Sequence, residues 1–359
     1  MSRSGVRARK PRSSVAPEPT GMSTLVADTL QEYGSVTREA MAGYLPSGYP
    51  AQHLYEPLAD YPRRAGKMMR PSICIATARA FGASQADAVR SAAAIELLHN
   101  AMLVHDDIQD GSEFRRGRPT LHMLHGVPLA INAGDALFLL SLRPLLDNVG
   151  IFGSLLGLRI LREMETVAWH SLEGQAIELG WIRENVLDLQ DADYLNMVLK
   201  KTCWLATIHP SRIGALIGSR GTIDPEPFIR FGFFLGAAFQ IQDDLLNIAP
   251  DARYGKELNG DLMEGKRSLL LIDAYRRASF PERARMTRLF RAPRKQRKAE
   301  DVAWVLSLIA ERGSVDYVRQ FAHALAGAAL HQFDTIYGHL PPSRDKEFIH
   351  GLANWIFNR

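Results

Sequence analysis

The sequence is poor in cysteine and has no long hydrophobic run. Its 359 residues include two cysteines, Cys74 and Cys203, too few for a disulfide framework or a cysteine zinc site. Both lie in apolar stretches typical of helices, which predicts buried free thiols. The most apolar run, residues 231–239, is about half of the roughly 18 residues that a membrane span needs. We therefore expect a soluble protein without a membrane span.

The sequence also lacks the local patterns of several enzyme classes. It contains no GxxxxGK[ST] or GxGxxG loop, which removes the usual nucleotide-binding signatures, and no GxSxG nucleophile elbow. The alternating pattern of strands is nearly absent, whereas apolar residues recur at three- and four-residue spacing, as in Val89, Ala93 and Leu97. Turn residues separate these segments. We predict one large all-α domain over residues 22–359.

The net charge of +4 is unevenly distributed. Residues 1–20 carry a net charge of +4 and residues 276–298 a net charge of +9, which leaves −9 for the rest of the chain. Residues 1–21 have the composition of a disordered basic tail, with organelle targeting as an alternative. Residues 291–300 read as a solvated basic loop. Since no aromatic residues interleave with these charges, we expect no nucleic-acid partner.

Two apolar, helix-like segments end in aspartates. The first delivers Asp106, Asp107 and Asp110, and the second delivers Asp243 and Asp244. Asp106 and Asp110 are four residues apart and so share one helix face. Acids in the last turn of a helix oppose its macrodipole, which favours a bound cation. Because no histidine or cysteine shares these faces, the carboxylates predict magnesium rather than zinc.

Basic residues follow both aspartate motifs. Arginine and lysine bind phosphate oxygens, and Mg²⁺ completes its coordination with substrate phosphates. The combination predicts a diphosphate site and a reaction in which a diphosphate leaving group is pulled away inside an apolar pocket. The basic clusters are Lys67 with Arg70, Arg115 with Arg116, Lys200 with Lys201, Lys256, and Lys266 with Arg267.

These motifs, in this order over residues 50–275, resemble the trans-isoprenyl diphosphate synthases, or polyprenyl synthetases, and especially their geranylgeranyl diphosphate synthase type. The resemblance implies the all-α isoprenoid synthase fold, a bundle around a central apolar cavity. It implies a homodimer that condenses isopentenyl diphosphate with an allylic diphosphate (dimethylallyl, geranyl or farnesyl), with three Mg²⁺ ions when substrate is bound. We expect a cytoplasmic enzyme.

The resemblance also assigns residues to roles. The metal ligands would be Asp106, Asp110 and Asp243, with Asp244 supporting Asp243. Arg115 and Lys201 would hold the allylic diphosphate, with Gln240, Lys256 and Lys266 closing on it, and Thr202 and Phe239 would line the reaction centre. Isopentenyl diphosphate would be held by Lys67, Arg70, His99 and Arg116. Gly174-Gln175 matches a further family signature. Asn247 departs from the usual aspartate, which weakens any metal role there, and Met68-Met69 replaces the commoner Arg-Leu.

Product length is expected to depend on the residues one turn before Asp106. In the family, an aromatic residue there blocks the growing chain and gives the C15 product. Ala101 leaves this position open, while Met102 and Leu98 could form a floor farther down. We predict geranylgeranyl diphosphate (C20), with farnesyl (C15) or geranylfarnesyl diphosphate (C25) as alternatives.

Two other classes share parts of this pattern. A class I terpene cyclase normally has an Asn/Ser/Glu triad in place of the second motif, whereas here Asp243-Asp244 is followed by two Gly-Lys pairs. A non-catalytic regulatory subunit usually has a decayed first motif, whereas Asp106, Asp110 and Arg115 are all present. Both readings are less favoured than a synthase.

Overall fold

The computed structural model describes residues 23–64, 66–248 and 259–357, and these residues are almost entirely helical. The predicted tail (1–21) and Lys256 lie outside the described residues. The first helices are α1 (Thr24–Tyr44), α2 (Glu56–Arg63), α3 (Met69–Ala80), α4 (Gln85–Asp110), α5 (Leu121–His125), α6 (Val127–Ser141), α7 (Arg143–Phe152), α8 (Ser154–Glu184) and α9 (Asp191–Val198). The others are α10 (His209–Gly218), α11 (Pro227–Ile248), α12 (Gly260–Glu264), α13 (Leu269–Arg277), α14 (Phe280–Arg291), α15 (Ala299–Glu311), α16 (Ser314–Tyr337) and α17 (Arg344–Phe357).

Short segments of other structure join these helices. Ala51–Tyr55 and Leu199–Ile208 are π-helical, and Arg294–Gln296 is a 3₁₀ turn. A two-stranded antiparallel hairpin, β1 (Phe114–Arg115) and β2 (Arg118–Pro119), follows α4. The all-α prediction is confirmed, with this hairpin as the exception among the described residues.

Helix α4 forms the centre of the bundle and carries the first aspartate motif. Its first turn is fixed by a capping box between Ser84 and Asp87, and it ends at Gly111, whose φ of 63° favours glycine. The helix packs against α1, α3, α6 and α7, and both of its faces are buried over most of its length. Its apolar composition on all sides is explained by this central position.

Helices α8 and α11 approach the π-helical segment Leu199–Ile208 at backbone distance. A Cβ on Gly174 of α8 would overlap the backbone nitrogen of Lys201, and a Cβ on Gly232 of α11 would lie 2.7 Å from the Cα of Ile208. Glycine is therefore required at both contacts. These contacts fix the position of the segment that carries Lys201 and Thr202.

One helical stretch, Val127–Phe152, is long and apolar enough to cross a membrane by length and composition. In the structure it consists of two helices, α6 and α7, which meet at Leu142. Both pack against α4, and Ala130, Ala133 and Leu137 of α6 are fully buried there. Part of its apolar composition thus serves packing within the fold.

The structure corrects one expectation for residues 291–300 and confirms another for the cysteines. Arg297 is 8% exposed, so this segment is not a fully solvated basic loop. Its guanidinium faces the ring of Phe290 and donates hydrogen bonds to backbone carbonyls, which compensates its burial. Cys74 and Cys203 are both free and buried, as predicted.

Candidate active site

The carboxylates of the first motif divide between two directions at the end of α4. Asp106 lines the central cavity, and Asp110 contacts Lys266, which lines the same cavity. Asp107 is 1% exposed and accepts hydrogen bonds from Tyr61 Oη and Arg115 Nε. Successive helix residues are about 100° apart, so Asp107 anchors the β1–β2 hairpin, while Asp106 lines the cavity and Asp110 contacts it through Lys266.

Lys201 approaches Asp106 from the π-helical segment. Its Nζ lies 3.5 Å from Asp106 Oδ1 and donates a hydrogen bond to Glu178 of α8. Burial by itself would lower the pKa of Lys201, but the carboxylates of Glu178 and Asp106 raise it above its usual value. The ammonium group therefore stays charged beside the cavity. π-Helical turns of this kind are frequent at functional sites.

Lys266 approaches the motif from the opposite side. Its Nζ lies 2.8 Å from Asp110 Oδ2 and 2.7 Å from Glu264 Oε2. Although burial opposes a charged amine, Asp110 and Glu264 raise the pKa of Lys266 well above its usual value. Two lysines thus balance the first motif, one on each side.

The electrostatic environments of Asp106 and Asp110 differ. Burial favours the protonated form of Asp106, yet Lys201, Lys266 and Arg115 hold its pKa well below the usual range. Burial and the charge of Asp106 raise the pKa of Asp110 to about 7. Neighbouring carboxylates whose pKa values are shifted in opposite directions are typical of functional sites.

The second motif lies across the cavity, at the end of α11. Asp244 lines the cavity and accepts hydrogen bonds from Tyr194 Oη at 2.7 Å and Gln240 Nε2 at 2.8 Å. Burial and Asp261 raise its pKa to about 7. Asp243 is half-buried and acts electrostatically on Arg70. Asn247 Oδ1 accepts a hydrogen bond from the backbone nitrogen of Asp261, so its amide holds the first turn of α12.

The donor groups fit a magnesium site. They are carboxylates, the hard oxygen ligands that Mg²⁺ prefers, and Asp110 Oδ2 is buried without hydrogen-bond geometry to any partner, its contact with Lys266 being an ion pair. Among the described residues, no group of three or more histidine, cysteine, aspartate or glutamate side chains is arranged to hold a metal ion. A cation would hence be held by few protein ligands, which suits a metal that keeps water and phosphate oxygens in its coordination shell.

A second basic cluster lies beside the first motif and contains three of the predicted isopentenyl diphosphate ligands. Arg70 is half-buried near Glu96 of α4, and Glu96 is 2% exposed. Arg116 donates a hydrogen bond to the carbonyl of Arg64 at 3.1 Å. Burial, together with Arg70 and Arg116, lowers the pKa of His99 well below its usual value. The cluster therefore presents two cations and a neutral imidazole.

Lys67, the fourth predicted ligand of that diphosphate, contacts the C-terminal helix. Its Nζ lies 5.7 Å from the ring centroid of Trp355 on α17, a cation–π distance. Lys67 is exposed, whereas Trp355 is 4% exposed. The end of the chain thus contributes to this side of the site.

The remaining predicted residues lie around the cavity with partners of their own. Thr202 Oγ1 donates a hydrogen bond to Gln240 Oε1 at 3.1 Å, and both residues line the cavity. Phe239 is half-buried against the core. Arg115 donates to Asp107 and lies 3.4 Å from Asp106, so its guanidinium spans the first motif.

The three predicted chain-length residues do not share one side of α4. Ala101 is 1% exposed and packs in the cluster that includes Ala130 and Ala133 of α6. Leu98 and Met102, one turn apart, pack against the other main core cluster. The two residues predicted to form the floor, Leu98 and Met102, therefore pack against the same cluster, and the open position at Ala101 belongs to the other cluster.

Sequence reasoning missed two acids and one phenol that bind the predicted site residues. Glu178 holds Lys201, Glu264 holds Lys266, and Tyr61 holds Asp107. The spacing of Glu178, one turn after Gly174 on α8, could have indicated that it faces the same segment. For Glu264 and Tyr61 no local pattern gives such a signal, because their partners are far away in the chain.

The family model for polyprenyl synthetase matches residues 51–309. This chain belongs to that family. It is a trans-prenyltransferase, as the resemblance predicted. A short chain isoprenyl diphosphate synthase of Methanothermobacter thermautotrophicus is 32% identical over 93% of this chain and 98% of its own length. A geranylgeranyl diphosphate synthase of Methanosarcina mazei is 31% identical over 94% of this chain and 99% of its own length.

Solved structures of the family have the same fold. A geranylgeranyl pyrophosphate synthetase from Pyrococcus horikoshii Ot3 superposes with a TM-score of 0.80 at 29% identity, covering 93% of this chain and 98% of its own. A polyprenyl synthase from Caulobacter crescentus, solved with calcium and isoprenyl diphosphate, has a TM-score of 0.79 at 26% identity, covering 96% of this chain and 99% of its own. The isoprenoid synthase fold is confirmed.

Proposed function

We propose that this prenyltransferase makes geranylgeranyl diphosphate by head-to-tail condensation of isopentenyl diphosphate with an allylic diphosphate. The observation that carries the proposal is the convergence of both aspartate motifs, Lys201 and Lys266 on one cavity. Carboxylates that bind Mg²⁺ and ammonium groups that bind phosphate oxygens are the two kinds of group that a metal–diphosphate site needs.

In this proposal the two motifs hold the allylic diphosphate through Mg²⁺. Asp106, Asp110 and Asp243 would be the metal ligands, with three ions when substrate is bound. Bound Mg²⁺ supplies charge neutralisation of the diphosphate leaving group. Lys201 and Lys266 would release their carboxylates and donate to the same diphosphate, which lowers the barrier to breaking the C1–O bond.

The second basic cluster supports a site for isopentenyl diphosphate. Arg70, Arg116 and Lys67 supply positive charge, and the neutral His99 supplies a hydrogen bond rather than further charge. The double bond would then attack the allylic C1, and loss of a proton completes the condensation. Half-buried Phe239 and the adjoining apolar core limit access of water to the cation.

A direct assay tests this function. Purified protein is incubated with MgCl₂, isopentenyl diphosphate and dimethylallyl, geranyl or farnesyl diphosphate, and the products are separated after dephosphorylation. We expect geranylgeraniol as the main alcohol, and no product when EDTA replaces MgCl₂. A cyclic hydrocarbon would instead indicate a cyclase, and no turnover with any primer would indicate a non-catalytic subunit.

We further propose a cytoplasmic homodimer. Helices α6, α7 and α8 carry several large apolar side chains that are strongly exposed in the single chain, among them Leu139 at 70% and Trp169 at 61%. We call this surface, which also includes Val127, Ile131, Leu146, Ile151, Leu155, Leu158 and Leu172, the α6–α8 apolar face. Exposed apolar surface of this extent marks an interaction site, and a second copy is the partner that the family resemblance implies.

A further inference from the structure

The basic segment between α14 and α15, which showed no function in the sequence, lies against the loop that carries Lys266. The segment consists of residues 292–298 and includes the 3₁₀ turn Arg294–Gln296. Arg294 is partly buried and Arg297 is buried, whereas Lys295 and Lys298 are exposed. Two of its four cations thus point inward, which a solvated basic loop does not require.

Arg297 ties the segment to the Lys266 loop. It donates hydrogen bonds to the backbone carbonyls of Leu262 (3.4 Å) and Met263 on one side and of Phe290 (3.1 Å) and Ala292 (3.1 Å) on the other. A Cβ on Gly265, which has a φ of 82°, would lie 2.7 Å from Arg297 Nη1. The guanidinium therefore fills the space directly beneath the residue that precedes Lys266.

Arg267 secures the other side of Lys266. It is 1% exposed and donates to the carbonyl of Val186 at 2.8 Å and to Asn185 Oδ1 at 3.0 Å. The guanidinium groups of Arg267 and Arg297 lie 5.3 and 5.4 Å from the ring centroid of Phe290. Burial and Arg297 lower the pKa of Arg267 to about 10. Two buried cations this close together repel each other and lower the stability of the fold. Stability alone therefore does not explain why both are present.

Arg294 completes a ring of contacts around the first motif. Its Nη1 donates to the backbone carbonyl of Asp110 at 3.0 Å and to Glu264 Oε1 at 3.1 Å. Glu264 also contacts Lys266 at 2.7 Å, and Lys266 contacts the carboxylate of Asp110 at 2.8 Å. Arg294 thus joins the main chain of α4 to the acid that holds Lys266.

We propose that Arg294 and Arg297 are positioning residues for Lys266, and that they set the affinity of the site for the allylic diphosphate. This inference rests on the proposed function. Glu264 and the Asp110 carboxylate restrain the ammonium group, Arg297 fixes the backbone of its loop, and Arg294 fixes Glu264 against α4. The cluster of Arg70, His99 and Arg116 receives none of these hydrogen bonds, although Arg116 lines a second pocket together with Glu264 and Lys266. Isopentenyl diphosphate binding is therefore expected to depend on Arg294 and Arg297 much less than binding of the allylic diphosphate.

The test compares Arg294→Ala with Lys295→Ala, which removes the same charge from an exposed neighbour. We expect Arg294→Ala to raise the KM for the allylic diphosphate about tenfold, which corresponds to the loss of about 1.4 kcal/mol from charged hydrogen bonds. The KM for isopentenyl diphosphate should change much less, and the thermal midpoint should fall by only a few degrees, because the lost hydrogen bonds also stabilise the free protein. Arg294→Lys should restore part of the effect, because one ammonium group can reach the same two oxygens. Lys295→Ala should leave both KM values unchanged.

A measurement independent of turnover uses inorganic diphosphate with MgCl₂ in titration calorimetry. Arg294→Ala should weaken its Kd by a similar factor. Arg297→Lys tests the loop, since it is expected to speed amide hydrogen exchange in residues 261–268 without speeding exchange in α4. Equal KM changes for both substrates, unchanged diphosphate affinity, or equal effects of Arg294→Ala and Lys295→Ala would each overturn the inference. If wild-type protein forms no prenyl product, the proposed function fails instead.

Discussion

Two adjacent aspartates on α4, Asp106 and Asp107, have different roles. Asp107 is held by Tyr61 and Arg115 and contributes to folding, whereas Asp106 faces the cavity between Lys201 and Arg115. Arg115 contacts both carboxylates, whereas Tyr61 binds Asp107 and Lys201 contacts Asp106. Substitutions at the two positions should hence be separable by experiment.

Asp106→Asn is expected to reduce turnover by a factor on the order of 10² to 10³, because it removes a proposed metal ligand and an electrostatic contact at the leaving group. Its thermal midpoint should also fall, because Lys201 and Arg115 lose a charged partner. Asp107→Asn is expected to lower the thermal midpoint, because Arg115 loses a buried charged partner. Turnover at saturating MgCl₂ and thermal unfolding of both variants check this. Near wild-type turnover of Asp106→Asn would remove the ligand assignment.

His209 gives the fold a predictable sensitivity to acid. It is 1% exposed, and burial, followed by the charge of Arg212, lowers its pKa to about 3. In the unfolded chain His209 takes up a proton near pH 6.5. The stability that the fold gains from keeping this imidazole neutral is therefore present above that pH and is lost as the pH falls towards 3. The loss between pH 7 and pH 5 is about 2 kcal/mol. Arg212 itself is paired with Glu163 and Glu226.

His209→Gln should therefore lose less free energy of unfolding between pH 7 and pH 5 than the wild type. Denaturant unfolding at both pH values measures the difference. His125→Gln, at an exposed position of α5, is the matched control and should follow the wild type. An identical pH dependence of the His209 variant and the wild type would contradict the assignment.

At the scale of elements, α4 determines both the position of the metal ligands and the space for the product. Ala101 packs in the cluster that includes Ala130 and Ala133 of α6, whereas Leu98 and Met102 pack in the other core cluster. Substitutions at these positions can distinguish which of the two surfaces limits the product.

Ala101→Phe is expected to shorten the main product towards C15, because the ring fills the contact with Ala130 and Ala133. Overpacking of this contact should cost about 1–3 kcal/mol of stability. Ala101→Val is the graded control and should shift the product less. Chromatography of dephosphorylated products checks the outcome. If Ala101→Phe leaves the product length unchanged and Met102→Ala lengthens the product, the growing chain follows the surface of α4 that carries Leu98 and Met102.

At the scale of the whole molecule, the α6–α8 apolar face predicts self-association. Leu139→Glu should convert a dimer of twice 40.0 kDa into a monomer, because it places a charge in an apolar contact. Phe280→Glu is the control, at an apolar residue of α14 outside this face that is even more exposed (85%). Size-exclusion chromatography with light scattering measures the mass. A wild-type monomer, or a Leu139→Glu dimer, would contradict the proposal.

The sequence predicted the helices and the two aspartate motifs because both depend on local spacing. The shared face of Asp106 and Asp110 follows from the helical repeat alone. The burial of Arg297 could not be predicted in this way, since its partners at 262, 263 and 290 lie in other elements. The same holds for Tyr61, which reaches Asp107 from α2, and for the separation of Ala101 from Met102, which depends on which helices flank α4.

Lys266 pairs with Asp110 and Lys201 pairs with Asp106. Because of these ion pairs, the site should bind Mg²⁺ and diphosphate together better than either one alone. Mg²⁺ alone would take Asp106 and Asp110 away from the lysines and leave Lys201 paired with Glu178 and Lys266 paired with Glu264. A free diphosphate would take the two ammonium groups away from Asp106 and Asp110. Each ligand binding alone is therefore opposed by the loss of ion pairs in a partly buried site. Only the metal and the diphosphate together exchange all four partners at once. Their binding should accordingly be strongly cooperative, so that a bare anion or a bare cation of the cell occupies the site poorly.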